Sequence, residues 1–381
     1  MKIGIIGLGN IGRVHARNMQ DGLVENAQLC AVANQPIETL DDFSQQGIAC
    51  FDDASKLIQS GLTEAVIVAL PSHLHAPISI EALEAGLHVM IEKPLARHKA
   101  EGQRILAARQ RDDQVIALMM NQRTHPCYAK IKAWMNAGAT GTLQRVSWVM
   151  TNWFRPEIYY QSSPWRATWK GEGGGVLMNQ CPHNIDVLQW LVGMPTKVHA
   201  HGSFGKYHDI DVEDEVYAYF EFANGATGLF VASTGEAPGI NRLEIVGDLG
   251  TIITDGKEAT LLRNRESAAN YSKTTDDMFG MPERTEESYQ PGEPVNQHAA
   301  VLDNFVKAAR GEAALIAPAS QGIHSLELAG AMIYSSWTQA AVDLPLDATT
   351  YEQFIQERIA AAKPRKVTRV AAKVDMSKSY R

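Results

Sequence analysis

The sequence predicts an α/β fold followed by an α+β half: a Rossmann-type doubly wound parallel sheet, then a domain built on a large, mostly antiparallel open sheet. Three observations carry this. The first third alternates short β-branched runs with helical patterns, the mark of βαβ units. From about residue 197 strand-like stretches follow one another without helices between them. At 381 residues the chain is also too long for one compact core and suits two.

In order, residues 3–6 read as a strand and 13–20 as the start of a helix. Residues 29–33 are a second strand and 65–70 a third; Pro71 breaks the pattern before a helix over 75–85. A strand at 88–91, a helix over 99–112 and a strand at 115–119 complete the first rhythm. A helix over 126–137, a strand over 143–151, a loop rich in Trp, Tyr and Arg, and a helix over 175–192 come next. Period-two alternation marks strands at 197–204, 214–222, 227–233, 241–246 and 250–255. Residues 264–294 are polar, with Gly and Pro punctuation, and read as a long loop. Helices over 295–310 and 320–341 follow, then a shorter one over 351–361. The expected organisation is a dinucleotide-binding domain over 1–121, a substrate-binding and oligomerisation domain over 122–362, and a basic, polar tail over 363–381.

Hydrophobic residues at 45% and charged residues at 20% suit an ordinary globular protein. A net charge of −8 with no long basic run argues against nucleic acid or an anionic membrane as main partner. The cysteines Cys30, Cys50, Cys127 and Cys181 form no C-x-x-C pair and read as reduced thiols. No apolar run reaches membrane-spanning length, and the first residues already carry a folding motif, so a cytoplasmic protein is expected. The histidines are not spaced with carboxylates or thiols in a ligand pattern, so no metal is expected.

The chemistry begins at Gly7-Leu8-Gly9-Asn10-Ile11-Gly12, a G-x-G-x-x-G placed after a strand and before a helix. Gly7 permits the tight turn, Gly9 lets the backbone approach a pyrophosphate, and Gly12 lets the helix pack on the sheet. The helix N-terminus offers free N–H groups and a favourable dipole. At the end of the second strand an acidic residue would bind the ribose hydroxyls and an Arg would favour a 2′-phosphate. This chain has Asn34, which can hydrogen-bond a ribose hydroxyl, and no Arg or Lys close by to neutralise a phosphate. NAD is the expected cofactor, with NADP the alternative.

Glu92-Lys93-Pro94 lies just past a strand, at the carboxyl edge of the sheet where ligands bind, and Pro94 restricts Lys93 to an extended backbone. Asn179 and His183 are four apart on a predicted helix and so share a face. A histidine is the natural acceptor for a hydroxyl proton.

Two stretches make the sequence resemble the glucose–fructose oxidoreductase and inositol dehydrogenase family (Gfo/Idh/MocA). One is Leu70-Pro71-Ser72-His73-Leu74-His75 with Glu92-Lys93-Pro94; the other runs from Gly173-Gly174-Gly175 through Asn179 and His183 to Asp186. The resemblance covers the chain to about residue 345. It implies that Lys93 is the catalytic lysine, aimed by a cis peptide before Pro94, with His183 as proton acceptor. The family usually has aspartate where this chain has Asn179, which cannot exchange a proton but can hold a hydroxyl. Leu70, Pro71, His73, His75 and Glu92 are implied to line the cofactor, with Asn121, Trp165 and Arg166. Arg123, Trp153, Arg155, Tyr159, Arg166 and His298 are candidate substrate contacts. The aromatic residues, with Phe154 and Tyr160, equally suit packing or a subunit contact. Asp186 either hydrogen-bonds His183 or serves structure.

The implied activity is NAD-dependent oxidation of a secondary hydroxyl of a cyclic polyol or sugar by hydride transfer to nicotinamide. Two alternatives stand beside it: a redox-neutral NAD-dependent glycosidase working by oxidation and elimination, and a non-catalytic dinucleotide-binding regulator. An open sheet needs covering, and the resemblance implies a homodimer or homotetramer.

Overall fold

The computed structural model describes residues 1–362; the expectation of a tail over 363–381 lies outside the described residues. The first sheet is built from β1 (Lys2–Ile6), β2 (Gln28–Ala33), β3 (Ala49–Phe51), β4 (Ala65–Val68), β5 (His88–Ile91) and β6 (Ile116–Leu118). Its order is β3-β2-β1-β4-β5-β6, with every neighbouring pair parallel. This is the doubly wound topology, whose ligand crevice opens at the carboxyl ends where the order reverses, between β1 and β4. The core strand β4, Ala-Val-Ile-Val, is buried on both faces, as a strand with helices above and below requires.

β3 has no counterpart in the sequence reading, which passes from residue 33 to 65 without a strand. It is a three-residue edge strand between two short helices, Asp41–Ser44 and Ala54–Gln59. A run that short carries no readable period.

The second sheet contains β7 (Leu143–Met150), β8 (Lys197–Phe204), β9 (Glu213–Glu221), β10 (Thr227–Ser233), β11 (Asn241–Gly247), β12 (Gly250–Thr254), β13 (Ala259–Asn264), β14 (Arg284–Tyr289) and β15 (Val342–Asp343). Its order is β14-β13-β12-β11-β7-β10-β9-β8-β15. All neighbours are antiparallel except β7 and β10. The stretch 264–294 is therefore not one loop: it holds the helix Ala268–Thr274 and the edge strand β14. β14, Arg-Thr-Glu-Glu-Ser-Tyr, is exposed on both faces and lacks apolar alternation. Main-chain pairing with β13 makes it a strand, and Glu287 anchors it by accepting from Trp134 Nε1 at 3.2 Å and pairing with Lys130 at 2.9 Å.

One face of this sheet is covered by the helices Pro182–Val192 and Ala319–Thr338, over the fully buried Trp148, Phe220 and Phe230. The other face carries exposed Tyr217, Tyr219 and Leu229, with Tyr219 directly opposite Leu229. The helix Gln297–Ala309 returns to the first sheet, where Val301, Leu302, Phe305 and Val306 share a core with Ile3, Ile5, Ile67 and Met90. Among the described residues no helix is long and apolar enough to cross a membrane.

Candidate active site

The glycine loop has the shape its sequence requires. Gly7 adopts φ +97°, and a Cβ there would lie 2.5 Å from the Ala69 carbonyl oxygen. A Cβ on Gly12 would lie 2.0 Å from the Gly7 carbonyl oxygen, so the helix Asn10–Gln20 can approach only as glycine. A Cβ on Gly9 would meet nothing within 4 Å: this face of the loop is open. The helix begins at exposed Asn10 and half-buried Ile11 with no side-chain cap. An open backbone face beside uncapped helix N–H groups fits a dinucleotide pyrophosphate.

Asn34 sits at the end of β2, but its carboxamide is engaged within the protein. Its Oδ1 accepts from the Leu8 N–H at 3.0 Å, and its Nδ2 donates to Thr39 Oγ1 at 2.8 Å. The sequence reading found no arginine close to this point; the structure brings one from the first helix. Arg13 donates to the Thr39 carbonyl at 2.5 Å and pairs with Asp42 at 2.7 Å. One helical turn carries its long side chain across the gap, and Asp42 answers its charge.

Glu92 and Lys93 follow β5 at the carboxyl edge, and the Lys93–Pro94 peptide is cis. Glu92 is buried; His15 Nε2 lies 2.6 Å from its Oε1, and its Oε2 accepts the Lys93 N–H at 3.1 Å. Burial pushes this carboxyl up, but the His15 hydrogen bond, with the His15, His298 and Lys93 charges, holds it down at about 2. The His298 ring lies 5.8 Å from that of His15, which brings the start of a late helix into the same cluster. Burial pushes His298 down to about 4.

Both ring nitrogens of His75 are engaged within the protein. His75 is buried, with Nδ1 2.7 Å from the Pro94 carbonyl and Nε2 2.8 Å from the Leu70 carbonyl, so it ties the segment after β4 to the Glu-Lys-Pro turn. His73, after half-buried Pro71, donates its main-chain N–H to the Gly171 carbonyl at 3.2 Å. The His75 ring, expected on the cofactor, is thus spent within the first half of the fold, and only the His73 main chain reaches the second.

The predicted helix over 175–192 is two helices, Val176–Asn179 and Pro182–Val192. Pro182 has no N–H to continue the first, and it opens the second at the favoured first position. Asn179 and His183 therefore do not share one helical face. Gly175 allows this turn to press on β9: a Cβ there would lie 2.0 Å from the Glu213 carbonyl oxygen. The Glu213 side chain accepts the Gly175 and Leu177 N–H groups at 2.8 and 3.1 Å.

Lys93 Nζ donates to the Asn179 carbonyl at 2.9 Å. The Asn179 side chain donates to Glu172 and accepts from Tyr159 OH at 3.0 Å. Arg166 donates to the same Tyr159 hydroxyl at 2.7 Å and stacks on the Tyr159 and Trp165 rings at 4.5 and 4.7 Å. Arg155 lies 5.2 Å from the rings of both Trp153 and Tyr159. The aromatic loop is thereby drawn onto Asn179 by two arginines, while Tyr160 turns inward to Thr234 and Phe154 stays exposed. His183 is buried; its own desolvation and then the Lys93 ammonium push it down to about 3, so the ring is neutral. Burial also pulls Lys93 below the usual lysine range, against the opposing charges of Glu92 and Glu172.

Two further candidates, Asn121 and Arg123, follow β6. Arg123 is buried and spent: Nε and Nη2 each donate to Asp186 at 2.7 Å, and Nη1 donates to the Ile316 carbonyl at 3.0 Å. This fork–fork pair also settles Asp186 as a structural partner of Arg123. Asn121 is buried, with its Nδ2 3.3 Å from Gln297 Oε1. The resemblance implied a ligand contact for Arg123, but its guanidinium turns into the core, whereas the Asn121 Oδ1 keeps no partner among the described residues. Conversely, His15, Arg13 and Glu172 were not among the candidates. His15, three residues after Gly12, and Glu172, immediately before the triple glycine, carried only their nearness to a motif as signal.

The fold and the cleft together define a nicotinamide-dependent oxidoreductase. Residues 1–120 match the family model described as oxidoreductase family, NAD-binding Rossmann fold, and residues 128–253 match the GFO/IDH/MocA C-terminal domain. The chain belongs to the GFO/IDH/MocA family of oxidoreductases. It is 26% identical over 300 residues to myo-inositol 2-dehydrogenase of Thermotoga maritima, covering 76% of this chain and 85% of that one. It is 32% identical over 228 residues to levoglucosan dehydrogenase of Pseudarthrobacter phenanthrenivorans, covering 53% and 57%. Among solved structures, the WlbA dehydrogenase of Bordetella pertussis in complex with NADH and UDP-GlcNAcA matches with TM-score 0.75 at 26% identity, over 91% of this chain and 99% of that one.

Proposed function

We propose that this protein oxidises a secondary hydroxyl of a cyclic polyol or sugar, with Lys93 and His183 as its catalytic residues. The observation that carries the proposal is the juxtaposition of a tethered Lys93 ammonium, 2.9 Å from the Asn179 carbonyl, with a buried, neutral His183 whose charge state feels that ammonium. The residues from Gly7 to Gly12 would hold the dinucleotide, and a bound nicotinamide supplies the hydride acceptor. Lys93 attracts the hydroxyl oxygen and stabilises the negative charge that grows on it as its proton leaves. His183, neutral before reaction, accepts that proton. Trp153, Tyr159 and Arg166 form a rim that suits the face and hydroxyls of a ring.

The redox-neutral glycosidase reading drew its support from the missing carboxylate at Asn179, and Glu172 beside that residue weakens this support. A homodimer or homotetramer covering Tyr217, Tyr219 and Leu229 suits the bare face of the second sheet. The unpaired Cys30, Cys50, Cys127 and Cys181 suit the cytoplasm. The test is a panel of inositols, hexoses, anhydrosugars and glycosides followed for NADH and NADPH formation, repeated with K93M. Stoichiometric NADH with one class, and turnover at least about 100-fold lower in K93M with NADH binding retained, is the expected result. Near-normal turnover in K93M refutes the assignment of Lys93; glycoside cleavage without net NADH refutes the dehydrogenase.

A further inference from the structure

Glu172 is a carboxylate enclosed at the heart of the cleft, 2% exposed, and used by no step above. Its oxygens are met by amide donors: the Ala167 N–H on Oε2 at 2.5 Å and the Asn179 Nδ2 on Oε1. Burial pushes the Glu172 carboxyl up, while the Ala167 donor, the Arg166 charge, the Asn179 donor and the Lys93 charge pull it back toward the anion. Ala167 takes φ +47°, a left-handed conformation uncommon for a residue with a Cβ, at the point where its N–H faces Glu172. The contact also decides how the Asn179 amide is turned. With Nδ2 on Glu172, its Oδ1 is left for Tyr159 OH and Gln180 Nε2, each at 3.0 Å. The reverse orientation would set the amide oxygen against a carboxylate.

From this geometry we infer that Glu172 is a positioning residue: it supplies, from the loop ahead of the triple glycine, the negative charge that residue 179 does not carry, locks the Asn179 amide and keeps Lys93 an ammonium. The inference rests on the dehydrogenase reading only for the purpose of that ammonium. Lys93 is faced by Glu92 from its own turn, by Glu172, Arg155 and Arg166 from the loop segment, by His183 and Cys181 beside the helix break, by His75, and by His298 from the late helix. Two carboxylates thus stand against two guanidinium groups. Glu92, the larger of the two opposing charges, is shared with His15 at 2.6 Å, so removing Glu172 leaves one shared carboxylate against two guanidinium groups around a desolvated ammonium.

The test compares wild type, E172Q and E172Q/N179D. Two readouts are taken: the pH dependence of Lys93 acetylation, followed by mass spectrometry, and the pH profile of kcat on the best substrate of the panel. E172Q is expected to be acetylated at Lys93 at lower pH than wild type, with turnover at least about tenfold lower and NADH binding retained. E172Q/N179D returns a carboxylate across the same contact and is expected to restore the wild-type labelling profile and most of the turnover. Wild-type labelling and turnover in E172Q, or a double variant no better than E172Q, overturns the inference. Should E172Q fail to bind NADH or to fold, E172D, which keeps the charge but withdraws it by one methylene, takes its place; E172D equal to wild type in both readouts overturns it too. Labelling reports on Lys93 whether or not any sugar is oxidised, so failure of the dehydrogenase reading is distinguishable from failure of this one.

Discussion

Replacing Glu213 by Gln should make the protein more stable in mild base and leave it unchanged in acid. The carboxyl is buried beneath the triple glycine; Oε1 accepts the Gly175 and Leu177 N–H groups at 2.8 and 3.1 Å, while buried Oε2 has no partner. Burial raises its pKa from 4.5 to about 7, overcoming the lowering by those backbone donors. A carboxyl raised on folding stabilises fully only below its unfolded value and loses that contribution as pH rises through its folded one. The window is therefore about 4.5 to 7, and the raised value corresponds to about 3 kcal/mol lost across it. In E213Q the amide oxygen can keep the two N–H bonds and the group never ionises. Urea unfolding followed by circular dichroism at pH 5 and pH 8 reads the difference. The variant should match wild type within about 1 kcal/mol at pH 5 and exceed it by up to about 3 kcal/mol at pH 8. Parallel curves for the two proteins would mean that the backbone donors hold the anion at no cost, and would sink the reasoning.

Two further perturbations probe the cofactor cradle and the core. G12A places a methyl 2.0 Å from the Gly7 carbonyl and should both lower the melting temperature and weaken NADH at least about tenfold by fluorescence titration, whereas G9A, open on that side, should weaken NADH alone; equal melting temperatures for the two would contradict this. D186A strands the Arg123 guanidinium in the interior, where both partners are 1% exposed, and should cost about 3–5 kcal/mol in urea unfolding, with a loss under about 1 kcal/mol counting against the pair.

What the sequence disclosed was local and contiguous. The glycine loop works through neighbours within one turn, so residues 7–12 and their flanking strand and helix were readable together. β1, β4 and β5 showed as apolar runs because both of their faces are covered. β14 stayed hidden because pairing with β13, not side-chain burial, makes it a strand. The break before Pro182 was written in the chain, but the helical period on either side masked it. Glu172 and His15 became site residues only on folding, through contacts with Asn179 and Glu92 at separations of 7 and 77 residues. Arg123 misled in the opposite sense: it follows the last strand of the first sheet, yet its guanidinium turns into the core toward Asp186.

The return of the helix Gln297–Ala309 to the first sheet also sets an order of events in time. The last strand of that sheet ends at residue 118, and the helix that buries Ile3, Ile5 and Met90 begins at 297. At about 5–20 residues per second on the ribosome, one face of the nascent sheet waits roughly 10–40 s for its cover. A fragment stopping after the first sheet keeps that face bare for good, and should be prone to stick to itself or to recruit a chaperone. The dinucleotide cradle, although written in the first twelve residues, is finished by some of the last to be made.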